Sequence, residues 1–429
     1  MTTHVHPDMA GGLPAPLVAR TVAVDPTTLP ADLLSLLPAD GGLAWVRRGD
    51  GLVAWGEVAR LRTGGPERFA EADDAWGDAM AHAVVRDEVQ LPGTGPIAFG
   101  SFAFADDSPA GGTLIVPRVV VGRRGDDAWL TTIEVGAVAA AVSPVPTDPP
   151  RPPGAVTMSP GGLDEAGWRA AVAHAVDEIR SGALDKVVLA RDVVARTAEP
   201  LDPRWVLGRL AADYTSCWTF AVDGLVGATP ELLVRSEKGL VTSRVLAGTI
   251  RRTGDDDADL AHAALLAHSS KDLEEHEYAV ASLTRELEPF CSSTNVPETP
   301  FVLHLPNVLH LATDVTGVLR GADASSLALA AALHPTAAVA GTPTPKAVEL
   351  LAELEQMDRG RYAGPVGWLG ADGDGEWGIG LRSAELDADD PHRLRLFAGC
   401  GIVAASVPDS ELAESEAKLE PMRHALGSE

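Results

Sequence analysis

In Glu411-Leu412-Ala413-Glu414-Ser415-Glu416-Ala417-Lys418-Leu419, two carboxylates and an ammonium share one helical face, because offsets of three and seven residues align at the helical period. Glu411 and Glu414 repel each other one turn apart on a solvated face, whereas a divalent cation held between them reverses the sign of that cost. Glu416 falls off this face and reads as ordinary surface. A second acidic segment, Ser270-Lys271-Asp272-Leu273-Glu274-Glu275-His276-Glu277-Tyr278, is also helical in pattern, and the two together point to an oxygen-ligand site of the Mg2+ kind. Lys186 opens the Val-rich run Lys-Val-Val-Leu-Ala-Arg. There it either marks the solvent end of a strand or, drawn into a closed pocket, loses its proton more readily and serves as a general base. Glu231, in Gly-Ala-Thr-Pro-Glu-Leu-Leu-Val, is either a surface acid after a turn or a carboxyl that stays protonated in apolar surroundings and donates a proton.

Leu246-Ala247-Gly248-Thr249 and Ala398-Gly399-Cys400-Gly401-Ile402-Val403 each bring Gly to the end of a strand. Such glycines either make a bulge or let backbone amides approach an anion closely. His310 and His334 are single histidines without metal-ligand spacing and read as structural rather than as ligands of a metal.

These residues need elements to carry them. The Pro-rich run from Ser143 to Pro160 cannot be an interior strand or helix, so it divides the chain into a mostly β part (1–142), a linker (143–160) and a catalytic part (161–426). In the first part, Leu43 to Val46 and Leu52 to Trp55 read as a hairpin. Arg48-Gly49-Asp50 between them is a tight turn rather than an adhesion motif. After the linker, Trp168, Val172, Val176 and Ile179 recur at helical spacing and stop at Gly182. Strands are predicted at Lys186 to Val194, Trp218 to Val222, Leu232 to Arg235, Leu240 to Leu246, Val366 to Leu369 and Trp377 to Leu386. Helices are predicted at about 257–288, 323–333 and 345–355. Asp372-Gly373-Asp374-Gly375-Glu376 lacks the later ligands of a calcium loop and reads as a hairpin turn. Runs of strands separated by helices give an α+β class, with large antiparallel sheets packed together and flanked by helices.

Composition narrows the partners. A chain of 429 residues with 45% hydrophobic content can bury a large core. With 34 Lys and Arg against 61 acids, its net charge of -27 opposes attraction to nucleic acid or anionic lipid. The start has no basic segment followed by an apolar run and no later stretch is long and apolar enough for a membrane span, so a cytoplasmic protein is expected. Cys217, Cys291 and Cys400 are far apart and odd in number, which predicts buried thiols rather than disulfides or a zinc site.

With these motifs in view, the part after the linker resembles the chorismate-utilising enzymes, and among them the isochorismate synthases. The resemblance rests on Lys-Val-Val-Leu-Ala-Arg, Gly-Ala-Thr-Pro-Glu-Leu-Leu, Leu-Ala-Gly-Thr, Lys-Asp-Leu-Glu-Glu-His-Glu, His-Leu-Ala-Thr, Leu-His-Pro-Thr, Gly-Glu-Trp-Gly-Ile-Gly-Leu-Arg-Ser-Ala, Ala-Gly-Cys-Gly-Ile-Val and the closing Glu-x-x-x-Lys-Leu. It implies a Mg2+-dependent substitution in which water adds at C2 of chorismate while the C4 hydroxyl leaves. Lys186 would be the general base and Glu231 the general acid. Glu275 and Glu414 would hold the metal, with Glu411 and Glu274 close by to orient its waters. Ala247, Gly248, Thr249, His310, Arg382, Gly399, Gly401 and Lys418 would line the substrate. The resemblance also implies a stand-alone chain, expected as a monomer, because relatives that use ammonia carry glutamine in place of Lys186 and usually need a glutaminase partner. Ala247 disfavours the covalent route of relatives that carry a nucleophilic lysine there, because alanine cannot form a covalent adduct. Salicylate synthase, which forms the same intermediate and then expels pyruvate, shares the lysine and is the rival reading; a homologue that binds chorismate without turning it over is a second. Two departures stand out: Cys400 where the family has alanine, which should narrow the pocket, and Pro421, which should interrupt the last helix.

Overall fold

Most of the strands follow from β-branched and alternating runs whose polar backbone must be paired wherever it is buried. The computed structural model describes Met9, residues 12–321 and residues 324–427, and of Lys271 and Glu275 the backbone alone. Asp50–Thr63 and Gly112–Arg124 pair along their whole length, through a bulge between Glu57 and Ala59. The later half of Gly112–Arg124 continues to Asp127–Val135 and its earlier half to Ile97–Phe102, so this one ladder feeds two sheets. The first sheet runs through Leu43–Arg47, Trp218–Val222, Leu225–Thr229, Ser383–Leu386, Arg393–Ile402, Lys186–Thr197 and the edge strand Val156–Pro160. The second runs through Ile97–Phe102, Pro365–Gly370, Gly375–Ile379, Leu232–Glu237, Leu240–Arg251 and Val308–Leu319. Among the described residues the pairs are antiparallel except Leu17–Ala23 with Val84–Asp87. This is the α+β class with large antiparallel sheets flanked by helices.

Both sides of the Pro-rich run contribute to both sheets: Thr219 pairs with Val46, and Val366 with Ser101. The run itself has no helix or strand from 143 to 154, and its end becomes the edge strand, where a proline costs no ladder bond toward solvent. Arg48 and Gly49 both take positive φ, 55° and 84°, as a two-residue hairpin turn requires. Glu165–Arg180 buries Trp168, Val172, Val176 and Ile179 and ends with Gly182 at φ 85°. Asp372–Asp374 turn between Pro365–Gly370 and Gly375–Ile379, the hairpin expected there.

Three elements differ from their sequence pattern. The acidic helical stretch breaks at Ser269, with Asp256–His268 before it and Ser270–Leu287 after it, because the Ser269 side chain caps the second helix on the amide of Asp272. Trp377 to Leu386 is not one strand: Gly375–Ile379 and Ser383–Leu386 pair with different neighbours, and Arg382 between them adopts φ 49°. The last helix, Pro408–Leu426, runs through Pro421 without interruption.

Pro421 has no N–H for the carbonyl of Ala417, and the side-chain amide of Asn307 takes its place at 3.1 Å. Asn307→Ala should therefore cost about 1 kcal/mol, read by urea unfolding. Pro421→Ala made in that background should regain the loss by restoring the N–H. Additive effects of the two changes would refute the substitution of one donor for the other.

Candidate active site

Lys186 and the Gly-rich run meet because Lys186–Thr197 and Arg393–Ile402 are ladder partners, with Val188 opposite Gly401 and Ala190 opposite Gly399. A Cβ on Gly401 would stand 3.0 Å from Cε of Lys186, and one on Gly399 would stand 2.8 Å from the Leu189 carbonyl and 3.3 Å from the Tyr362 hydroxyl. The two glycines thus make room for a lysine and a tyrosine, a role their types alone did not disclose. Lys186 lines a chamber of about 240 Å³. Glu231, Ala247, Gly248, Thr249, His310, Arg382, Gly399, Gly401, Glu411, Glu414 and Lys418 share its wall.

Glu231 is buried just before Leu232–Glu237. Burial pushes its carboxyl up to about 8, against the pull of Lys186, the Leu246 amide, Arg382 and Lys418. At neutral pH it carries a proton. Across the chamber, Gly248 sits at φ 79° in the bulge between Ala247 and Thr249. His310 is buried; burial, then Arg382 and Lys418, hold its imidazole well below the ordinary histidine value, so it is neutral. Its Nε2 accepts from Arg382 Nη2 at 3.1 Å, which assigns the proton to Nδ1, 2.9 Å from the Thr249 hydroxyl. Arg382 is itself buried, held by its left-handed backbone, and its Nη1 has no partner among the described residues. An orphaned guanidinium donor beside this chamber fits an anionic ligand.

On the last helix, Lys418 donates to the Gly399 carbonyl at 2.9 Å and pairs with Glu414 at 2.7 Å. Burial alone would lower its pKa, but Glu414 outweighs burial and holds the ammonium above its ordinary value. Oxygens of Glu411 and Glu414 and the sulfur of Cys400 lie within 4.8 Å of one another. Two carboxylates at the chamber wall suit a hard cation. Cys400 is fully buried under this helix, its thiol bonded to the Glu411 carbonyl at 3.3 Å, and Cys217 and Cys291 are buried free thiols as well.

Several expectations are corrected. Glu416 is not plain surface: it pairs with the buried Arg191 and with Arg423, tying the helix to the strand beneath it. Glu274 is exposed and outside the chamber wall, whereas Asp272, two residues earlier, is in it. The side chain of Glu275 lies outside the described residues. Asp272 was legible as the fourth position of a Ser269-x-x-Asp272 cap. Tyr362, stacked on Phe397 at 5.0 Å, lies in a segment with no periodicity to flag it. His334 is structural, as expected: it is not in the chamber wall, its Nε2 donates to the Phe104 carbonyl at 2.9 Å, and burial lowers it to about 4.

Residues 44–427 match the family profile described as "Chorismate binding enzyme". The chain belongs to the chorismate binding enzymes. Among its relatives, isochorismate synthase MenF of Bacillus subtilis is 32% identical over 407 residues, covering 88% of this chain and 86% of its own. The salicylate biosynthesis isochorismate synthase of Pseudomonas aeruginosa is 34% identical over 417 residues, 90% of this chain and 85% of its own. The solved structure of the menaquinone-specific isochorismate synthase MenF from Escherichia coli superposes with a TM-score of 0.78 at 26% identity, covering 97% of each chain.

Proposed function

We propose that the protein is an isochorismate synthase: it adds water at C2 of chorismate and expels the C4 hydroxyl with a shift of the double bonds. The observation that carries this is a neutral, buried Glu231 sharing one chamber with Lys186. Lys186 in its amine form takes a proton from the attacking water as the C2–O bond forms. Glu231 gives its proton to the C4 oxygen as that bond breaks, and one water enters for each that leaves. The proton then passes back from Lys186 to Glu231 to restore both groups. Arg382, through its spare Nη1, and the amides around Gly399 and Gly401 receive substrate carboxylates, with Thr249 and the neutral His310 fixing Arg382.

Glu414 and Glu411 would hold Mg2+, with Glu275 a third ligand by the family resemblance, and the ion when bound neutralises and orients a substrate carboxylate. This local array outweighs a diffuse charge of -27 that is screened over about 8 Å. We also propose a monomer without a glutaminase subunit, since water, unlike ammonia, needs no generator. The unpaired state of all three cysteines supports a cytoplasmic setting. A homologue that only binds chorismate would have no need of a buried acid and a lysine in one chamber.

The expected result with chorismate and Mg2+ is isochorismate, resolved by chromatography from salicylate, pyruvate and anthranilate, and lost on chelation. Pyruvate released as fast as chorismate disappears would replace this reading with salicylate synthase.

A further inference from the structure

We infer that Cys400, Glu411 and Glu414 form a mixed sulfur and oxygen centre that captures thiophilic divalent cations such as Cd2+ and Zn2+ in competition with Mg2+. The inference rests on the reading of Glu411 and Glu414 as cation ligands and adds to it a third donor of different chemistry. The sulfur and one oxygen from each carboxylate already lie within 4.8 Å of one another. A single ion sits roughly 2.3 Å from sulfur and 2.0–2.2 Å from carboxylate oxygen, which places tetrahedral donors roughly 3.5 Å apart, so the two glutamate side chains close the set by moving about an ångström. The sulfur is fixed: Cys400 stands opposite Leu189 in the ladder and is fully buried.

Mg2+ takes oxygen ligands and gains nothing from a thiolate, whereas Zn2+ and Cd2+ bind it strongly. As the metal–sulfur bond forms, the thiol proton passes to the buffer, and Lys418 gives up Glu414. Among the described residues this is the one such group that contains a thiol. Exposed acidic groups often assemble without binding anything, but here the thiol is buried and both carboxylates are partly buried against it.

The test is titration of the full chain with Cd2+ alone, followed by the ultraviolet sulfur-to-cadmium charge-transfer band. The wild type should develop the band to saturation at one Cd2+ per chain, and excess Mg2+ should reverse it. Cys400→Ala should lack the band and bind Cd2+ more weakly by at least the roughly tenfold that loss of a supporting group costs, with Mg2+ affinity retained. A band that survives in Cys400→Ala, or no band in the wild type, overturns the proposal. Glu414→Gln separates the two readings. If the wild type fails to bind Mg2+ yet gives a Cd2+ band that weakens in Glu414→Gln and vanishes in Cys400→Ala, the Mg2+ assignment falls and the mixed centre stands. An undiminished band in Glu414→Gln removes that carboxylate and sinks the mixed centre.

Discussion

Lys186→Ala should lower kcat on the order of 10²–10⁴-fold, the contribution of a positioned general base, while the Kd for chorismate stays near that of the wild type. The split follows from where the lysine stands. Its Nζ end lies over Gly401, at the strand start paired with Thr342, whereas the donors proposed for the carboxylates belong to Arg382 and to amides near Gly399. Removing the base takes away an interaction made in the transition state and leaves those made in the ground state, so kcat and kcat/KM should fall together. Lys186→Arg makes a useful second variant: it keeps the positive charge and cannot give up its proton, so it should be as inactive as the alanine change. Retained turnover in Lys186→Arg would mean that charge rather than proton transfer is what the position supplies, and retained turnover in Lys186→Ala would remove it from the reaction altogether.

The sequence made the chemistry legible sooner than its placement. Val-rich runs and amphipathic spacing located Trp218–Val222 and the helix carrying Trp168 and Ile179, because burial of one face leaves a periodic trace. Backbone geometry left no such trace. Arg382 lies in an apparently continuous strand pattern, yet its left-handed backbone, supported by His310, splits the pattern and delivers the guanidinium to the chamber. The fate of Pro421 depended on Asn307, more than a hundred residues away, and no local rule reports a donor supplied from that distance. Glu416 shows the same limit in charge: a helical wheel places it off the ionic face, but the wheel cannot see Arg191 arriving from the neighbouring strand. Asp272 and Tyr362 entered the chamber wall through tertiary packing, and the single signal among them was a serine cap.

The electrostatics of the chamber set two acids against each other. Glu414 pairs with Lys418 at 2.7 Å and is partly exposed at the chamber wall. Glu231 sits deeper, where burial costs its charged form more than Lys186 and the Leu246 amide return. Two carboxyls of one type thus stand in different surroundings, one paired with an ammonium and one buried with its proton, the kind of division that paired acids at reaction centres exploit. Arg382 and Lys418 thus pull Glu231 below the value burial alone would give it.

Glu231→Gln should lose activity and gain stability. The amide keeps the shape of the side chain but has no proton to give, so kcat should fall on the order of 10²–10⁴-fold. In the wild type, kcat/KM should decline as pH rises through about 8, because deprotonation there removes the acid. The residual activity of Glu231→Gln should pass through the same range without that decline. Stability runs the other way. The folded value of about 8 lies above the ordinary 4.5, so between these values the folded chain binds more protons than the unfolded one and stability falls as pH rises, levelling above about 8. A glutamine has no such term, so the Tm of Glu231→Gln should exceed that of the wild type increasingly from pH 5 to pH 8. That pairing distinguishes an acid kept neutral by burial from a structural carboxylate: if the variant melts lower at pH 8, Glu231 is ionised in the fold and a different group must protonate the departing hydroxyl.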